Sequence, residues 1–121
     1  MVEKNIMAAR AYYDAINNKD VAAAEKYLHA DVVVTSPLDN LVGKEAVVKA
    51  LSFFMPYVKN LTVRVACGGD DHVMLAVDVE YHEPIGMLKT VALMTFQDGL
   101  IVRNEIFFDA RIFEKLKNSS R

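Results

Sequence analysis

Residues 61–83, L-T-V-R-V-A-C-G-G-D-D-H-V-M-L-A-V-D-V-E-Y-H-E, change the period of the chain from helical to two. Leu61, Val63, Val65 and Cys67 alternate with smaller or polar residues, Gly68 to Asp71 predicts a turn, and the alternation then resumes. From His72 to Glu83, Leu75, Val77, Val79 and Tyr81 stand against Ala76, Asp78, Glu80 and His82. Side chains of a strand point to opposite faces in turn, so this pattern predicts two long strands with one buried face. Downstream, Met87–Phe96 predicts a third strand, Asp98-Gly99 a tight hairpin and Leu100–Asp109 a fourth strand.

Upstream the period is helical. Val2, Ile6, Ala9, Tyr12, Tyr13 and Ile16 fall within an arc of roughly 120°, which predicts a helix over 3–17. Asn17-Asn18-Lys19 ends it, and Asp20 is placed to cap a second helix, V-A-A-A-E-K-Y-L, stopping near His29. Val32–Ser36 predicts a short strand, stopped by Pro37. A third helix follows Gly43 over 44–54, burying Val47, Ala50, Leu51 and Phe54, and Pro56 closes it. Helices first and strands after argue for an α+β fold, three helices on a strongly curved, mainly antiparallel sheet. The 121 residues suit a single domain, 1–121, with R-I-F-E-K-L as a short helical tail.

Composition narrows the partners. The charges, 14 basic and 16 acidic, are dispersed and include no basic stripe, which argues against nucleic acid. No apolar run approaches about 18 residues and the N-terminus has no apolar signal core, so a reducing cytoplasm is the expectation. The single cysteine, Cys67, closes no intrachain disulfide and reads as a small buried hydrophobe. His29, His72 and His82 have no metal-binding spacing, and Gly68-Gly69 joins strands instead of opening a helix. Neither a metal nor a cofactor is expected.

The order of elements, with Y-Y-D-A-I-N-N-K-D, A-D-V-V-V-T-S-P, V-G-K-E-A-V, F-Q-D-G-L-I-V and I-F-F-D, resembles the SnoaL-like branch of the nuclear transport factor two-like superfamily. The resemblance covers nearly the whole chain. It implies a cone, in which a bent sheet wraps a pocket that the helices close. It also implies a choice among polyketide cyclases, ketosteroid isomerase, limonene epoxide hydrolase, dehydratases and association modules without catalysis. Fold alone does not choose.

The family's working residues transfer unevenly. Where the isomerase keeps its base stands Ser36, whose hydroxyl takes no proton at neutral pH without a base beside it. Where it keeps a protonated aspartate stands Ala92, while its tyrosine aligns with Tyr12. The hydrolase needs two acids and an arginine around one water, and Asp78 and Glu80 face away from the valine stripe. Cyclases of the group often end the last strand with an aspartate and carry a histidine five residues earlier; here these are Asp109 and Asn104. Asp109 has two readings: a general acid or base with a raised pKa inside a closed pocket, or an exposed cap on the tail helix.

Asn104 shares the inward face with Val102, Ile106 and Phe108, leaving Ile101, Arg103, Glu105 and Phe107 outward. An inward amide needs a partner, from ligand or protein. Tyr12 and Tyr13 lie on the buried helical stripe, Tyr81 ends an inward strand stripe, and Phe54 and Phe108 supply apolar wall. The candidate ligand contacts are therefore Tyr12, Ser36, Phe54, Tyr81, Asn104 and Phe108, with Asp109 the candidate catalyst. The outer face carries Val91, Leu93, Ile101 and Phe107, which argues for a homodimer burying it. Two functions follow: a pocket for a small, mostly apolar organic molecule, or an association module whose interior is filled by its own side chains.

Overall fold

The computed structural model describes residues 2–111 and 113. Helix α1 spans Val2–Asn17 and α2 Val21–Glu25; strands β1 (Leu28–Thr35) and β2 (Asn40–Val42) follow. Helix α3 (Lys44–Phe54) runs into one 3-10 turn, Met55–Tyr57, and then come β3 (Val58–Gly69), β4 (His72–Tyr81), β5 (Met87–Gln97) and β6 (Leu100–Phe107). All six strands form one sheet in the order β2-β1-β6-β5-β4-β3. Every pairing is antiparallel except β1 with β6. The fold is α+β as the periodicity requires, with a mixed, curved and open sheet.

Three β-bulges interrupt the antiparallel pairings among the described residues, each marked by a residue that the ladder skips. On β3, Val58 pairs with Tyr81 and Asn60 with Glu80, so Lys59 is extra; Val63 pairs with Val77 and Val65 with Ala76, so Arg64 is extra. On β6, Arg103 pairs with Thr95 and Ile101 with Phe96, so Val102 is extra. An extra residue on one strand sharpens local twist and bends the strand. Both extra residues of β3 are basic and meet the acids on the outer face of β4: Lys59 Nζ lies 3.7 Å from Glu80 and Arg64 Nε lies 3.0 Å from Asp78.

The bulges also correct the strand-by-strand expectations. Beyond Arg64 the alternation of β3 is inverted, so Ala66 is half-buried while Val65 and Cys67 are exposed. Cys67 is therefore a surface thiol and no core residue. The bulge at Val102 likewise turns Ile101 inward, where it is fully buried, against the expectation of an outward Ile101. The second helix is shorter than its pattern, because Tyr27 and Leu28 leave it for the sheet. The Tyr27 carbonyl accepts the Ile101 N–H at 2.8 Å, and Leu28 pairs with Ile101. Strand β2 was not foreseen; it returns from a turn at Ser36–Asp39 to pair with β1. The strands of the β3–β4 hairpin run up to Gly69 and His72, leaving Asp70 and Asp71 as the turn.

Helix α1 packs on β3 and β4, and its C-terminal end is fastened there. The Asn17 side-chain carbonyl accepts the Leu61 N–H at 2.8 Å, and Lys19 Nζ donates to the Val58 carbonyl. The inner face of the sheet is continuous from Val73, Leu75, Val77, Val79 and Tyr81 on β4 to Leu88, Thr90, Ala92, Met94 and Phe96 on β5, all buried. No helix among the described residues is long and apolar enough to cross a membrane. The tail expected at 111–116 lies largely outside the described residues.

Candidate functional site

The buried stripe of α1 delivers Tyr12 and Tyr13 to the interior, their rings edge to face with centroids 5.4 Å apart. Both are almost fully buried, as is Tyr81 at the end of β4. Burial disfavours the charged phenolate, so all three hydroxyls titrate above the usual tyrosine range. Tyr13 contributes to the rise at both Tyr12 and Tyr81. Tyr13 itself is pushed up to about 12, and the Asn104 amide against its hydroxyl moderates that rise.

Asn104 reaches this point because the bulge at Val102 sets the register of β6. It pairs with Met94 on β5 and with Val34 on β1, both buried, and is itself 2 % exposed. Its Oδ1 has no hydrogen-bonding partner. Beside the tyrosines lies an aromatic chain: Phe54 to Tyr81 at 5.7 Å, Tyr81 to Phe113 at 5.9 Å and Phe113 to Phe108 at 5.7 Å. Edge-to-face contacts of this kind fix ring positions as well as burying area. Of the residues singled out in the sequence, Tyr12, Phe54, Tyr81, Asn104 and Phe108 thus join one constellation, through Tyr13 and Phe113.

Tyr13 and Phe113 were missed as site residues. Tyr13 sits on the same helical stripe as Tyr12, and that stripe was the available signal. Phe113 had none, because its contact depends on how the chain turns after β6.

Ser36 and Asp109 stand apart. The Ser36 hydroxyl is used by its own turn, accepting the Leu38 and Asp39 N–H groups at 3.2 Å each and facing the Asp39 carbonyl at 3.3 Å. Asp109 is exposed and grips Arg111, accepting its backbone N–H at 3.0 Å and its guanidinium at 2.5 and 2.9 Å. The Arg111 contacts hold its carboxyl down at about 2, the reverse of the raised pKa that acid–base work near neutrality requires. Ala92, in the position of the isomerase's acid, is fully buried between Leu75 and Ile106.

The tyrosines make the fold sensitive to alkali. Tyr13 binds its proton more tightly folded, near 12, than at its ordinary value of 10.0. Its stabilising share is therefore complete below pH 10 and lost as pH climbs toward 12. Phenolate absorbance at 295 nm and far-ultraviolet dichroism, followed together, are expected to change in one cooperative step in that window. Ionisation of every tyrosine with the dichroism unchanged would contradict the burial of this group.

Residues 9–104 match the SnoaL-like domain family. Among curated proteins none matches the chain. A protein from Kribbella flavida shares the fold at a TM-score of 0.87, with 23% identity over 95% of this chain and 94% of its own. A nuclear transport factor two-like protein of unknown function from Cytophaga hutchinsonii superposes at 0.78, with 18% identity over 88% and 91% of the two chains. An LEH-like epoxide hydrolase from M. tuberculosis superposes at 0.79, with 17% identity over 97% and 92% of the two chains. At these identities the likeness is one of fold. The matched span covers most of the helices and all but the end of the sheet, and on it the chain belongs to the SnoaL-like domain family.

Proposed function

We propose that the protein binds a small, mostly apolar organic molecule between α1 and the inner face of the sheet. The observation that carries this reading is Asn104: a nearly fully buried amide whose oxygen no protein group satisfies, set against the buried Tyr13 hydroxyl. Native interiors rarely keep an orphan acceptor without a purpose, and binding sites pair an apolar wall with a few converging polar groups. Here the wall is Phe54, Tyr81 and Phe108.

The epoxide hydrolase among the structural relatives, and the cyclases and isomerases this family resembles, make chemistry on the bound molecule part of the proposal. That chemistry does not fall to Asp109, which is ionised and held by Arg111. Asp109→Asn is expected to leave ligand affinity and any pH profile between pH 5 and 9 within about twofold of the parent. A tenfold loss, or a shifted pH optimum, would restore Asp109 to the site.

The reading itself is tested with a neutral fluorescent naphthalene, 2-naphthol. Binding is expected to be saturable at one molecule per chain and to weaken roughly tenfold in the double variant Phe54→Ser, Phe108→Ser, since aromatic contacts contribute about 0.5–1.5 kcal/mol each. Unsaturable uptake, or uptake indifferent to both rings, would sink it.

The second reading, an association module, draws on the outer face. Register aligns Val65, Ala76, Val91 and Phe107 in one row across β3 to β6, and Cys67, Met74 and Leu93 in the next. Val65, Met74, Val91 and Phe107 are exposed there. Ion pairs at Lys59–Glu80, Arg64–Asp78 and Arg103–Glu105 border the rows. We propose that two copies pair through this apolar band in the cytoplasm. Pairing outside and binding inside are compatible, because the two use opposite faces of one sheet.

A further inference from the structure

The polarity of the interior limits what it can hold. No Asp, Glu, Lys, Arg or His residue is buried among the described residues, and a buried carboxylate oxygen among them, Asp78 Oδ1, lies 3.0 Å from Arg64 Nε. The acids of β4 face outward and pair with the bulge residues of β3. A charged ligand entering this space would lose its hydration and find no counter-ion. What it would find are neutral phenols, the Thr90 hydroxyl and the Asn104 amide, all buried.

These groups are not equivalent. A phenol or alcohol can donate or accept, so it adapts to whatever is presented; an amide oxygen only accepts. The Asn104 side chain lies against the Tyr13 hydroxyl and moderates its raised pKa. Its Oδ1 has no hydrogen-bonding partner. At 2 % exposure bulk water does not supply one.

We infer that the molecule held in this interior is uncharged and offers a hydrogen-bond donor, a hydroxyl or an N–H, to Asn104 Oδ1. This rests on the reading of the interior as a binding site and names the class of compound it selects: neutral alcohols, phenols or amides on an apolar frame, in preference to ethers, ketones lacking a donor, or carboxylates.

Three probes of one ring system separate these classes: 2-naphthol, 2-methoxynaphthalene and 2-naphthoate, titrated calorimetrically into the full chain at pH 7. The naphthol is expected to bind about tenfold or more tightly than the ether, the scale of one buried hydrogen bond. The naphthoate is expected to bind weakest. Asn104→Leu should bring the naphthol-to-ether ratio close to one while the ether keeps its affinity. Equal binding of naphthol and ether to the parent chain, strongest binding of naphthoate, or a ratio unchanged in Asn104→Leu would each overturn the inference. If Asn104→Leu does not fold, the ratio in the parent chain decides, with Tyr13→Phe as the second variant: it keeps Oδ1 and should keep the preference for the naphthol. Binding of none of the three overturns the binding-site reading and the inference together; binding of naphthol and ether alike overturns only the inference.

Discussion

Leu75→Ala is expected to lower stability by about 3–5 kcal/mol, the upper part of the range for such truncations. The reason lies in the residues beside it. Leu75 is fully buried on β4 and pairs with Ala66 on β3 and Ala92 on β5. Its cross-strand neighbours are both small, so neither can spread into the space it leaves. Against a total of about 5–15 kcal/mol for a domain, this is a large fraction. Urea unfolding followed by dichroism measures it: the midpoint should fall steeply at unchanged slope. A loss below about 1 kcal/mol would mean that the inner face is less closely packed than the burial pattern indicates.

Phe107→Asp is expected to act on the outside of the same sheet. Phe107 is 53 % exposed and lies directly across from Val91. A charge there costs the isolated chain little, since the residue already meets water. In a pair of copies it would place an unpaired carboxylate in the apolar band. The dimer dissociation constant should rise about a hundredfold or more, as when a central aromatic contact is lost. Sedimentation across a concentration series reads this directly. A parent chain that stays monomeric at high micromolar concentration, or a variant that pairs as well as the parent, would remove the interface from the account.

What the residues announced, and what they hid, follows from how local each feature is. Strict alternation from Leu75 to Tyr81 and the Asp98-Gly99 pair are local signals, and both elements formed as read. At the hairpin both residues take positive φ, 55° and 78°, the conformation that such a turn requires. Bulges are decided between strands, by which partner a residue meets. Nothing in L-T-V-R-V-A-C shows that Arg64 will be skipped, so the inversion that exposes Cys67 was illegible. The parallel pairing of β1 with β6 joins segments about seventy residues apart and draws Leu28 out of a good helical pattern, a case of tertiary pairing overriding local propensity. Within the site, Tyr12, Tyr81 and Asn104 could be placed inside from period alone. The turn contacts of Ser36 and the Arg111 grip on Asp109 could not, because both are set by loop geometry beyond the strand ends.

The two methionines on opposite faces of the sheet offer the most direct test of ligand binding in the interior. Met94 is fully buried and pairs with Asn104, whereas Met74 is 47 % exposed on the outer face. With the methionine methyl groups labelled with carbon-13, 2-naphthol should shift the Met94 methyl resonance saturably, together with the Asn104 side-chain amide, and leave Met74 in place. Saturable movement of Met74 with Met94 and Asn104 unmoved would contradict the account.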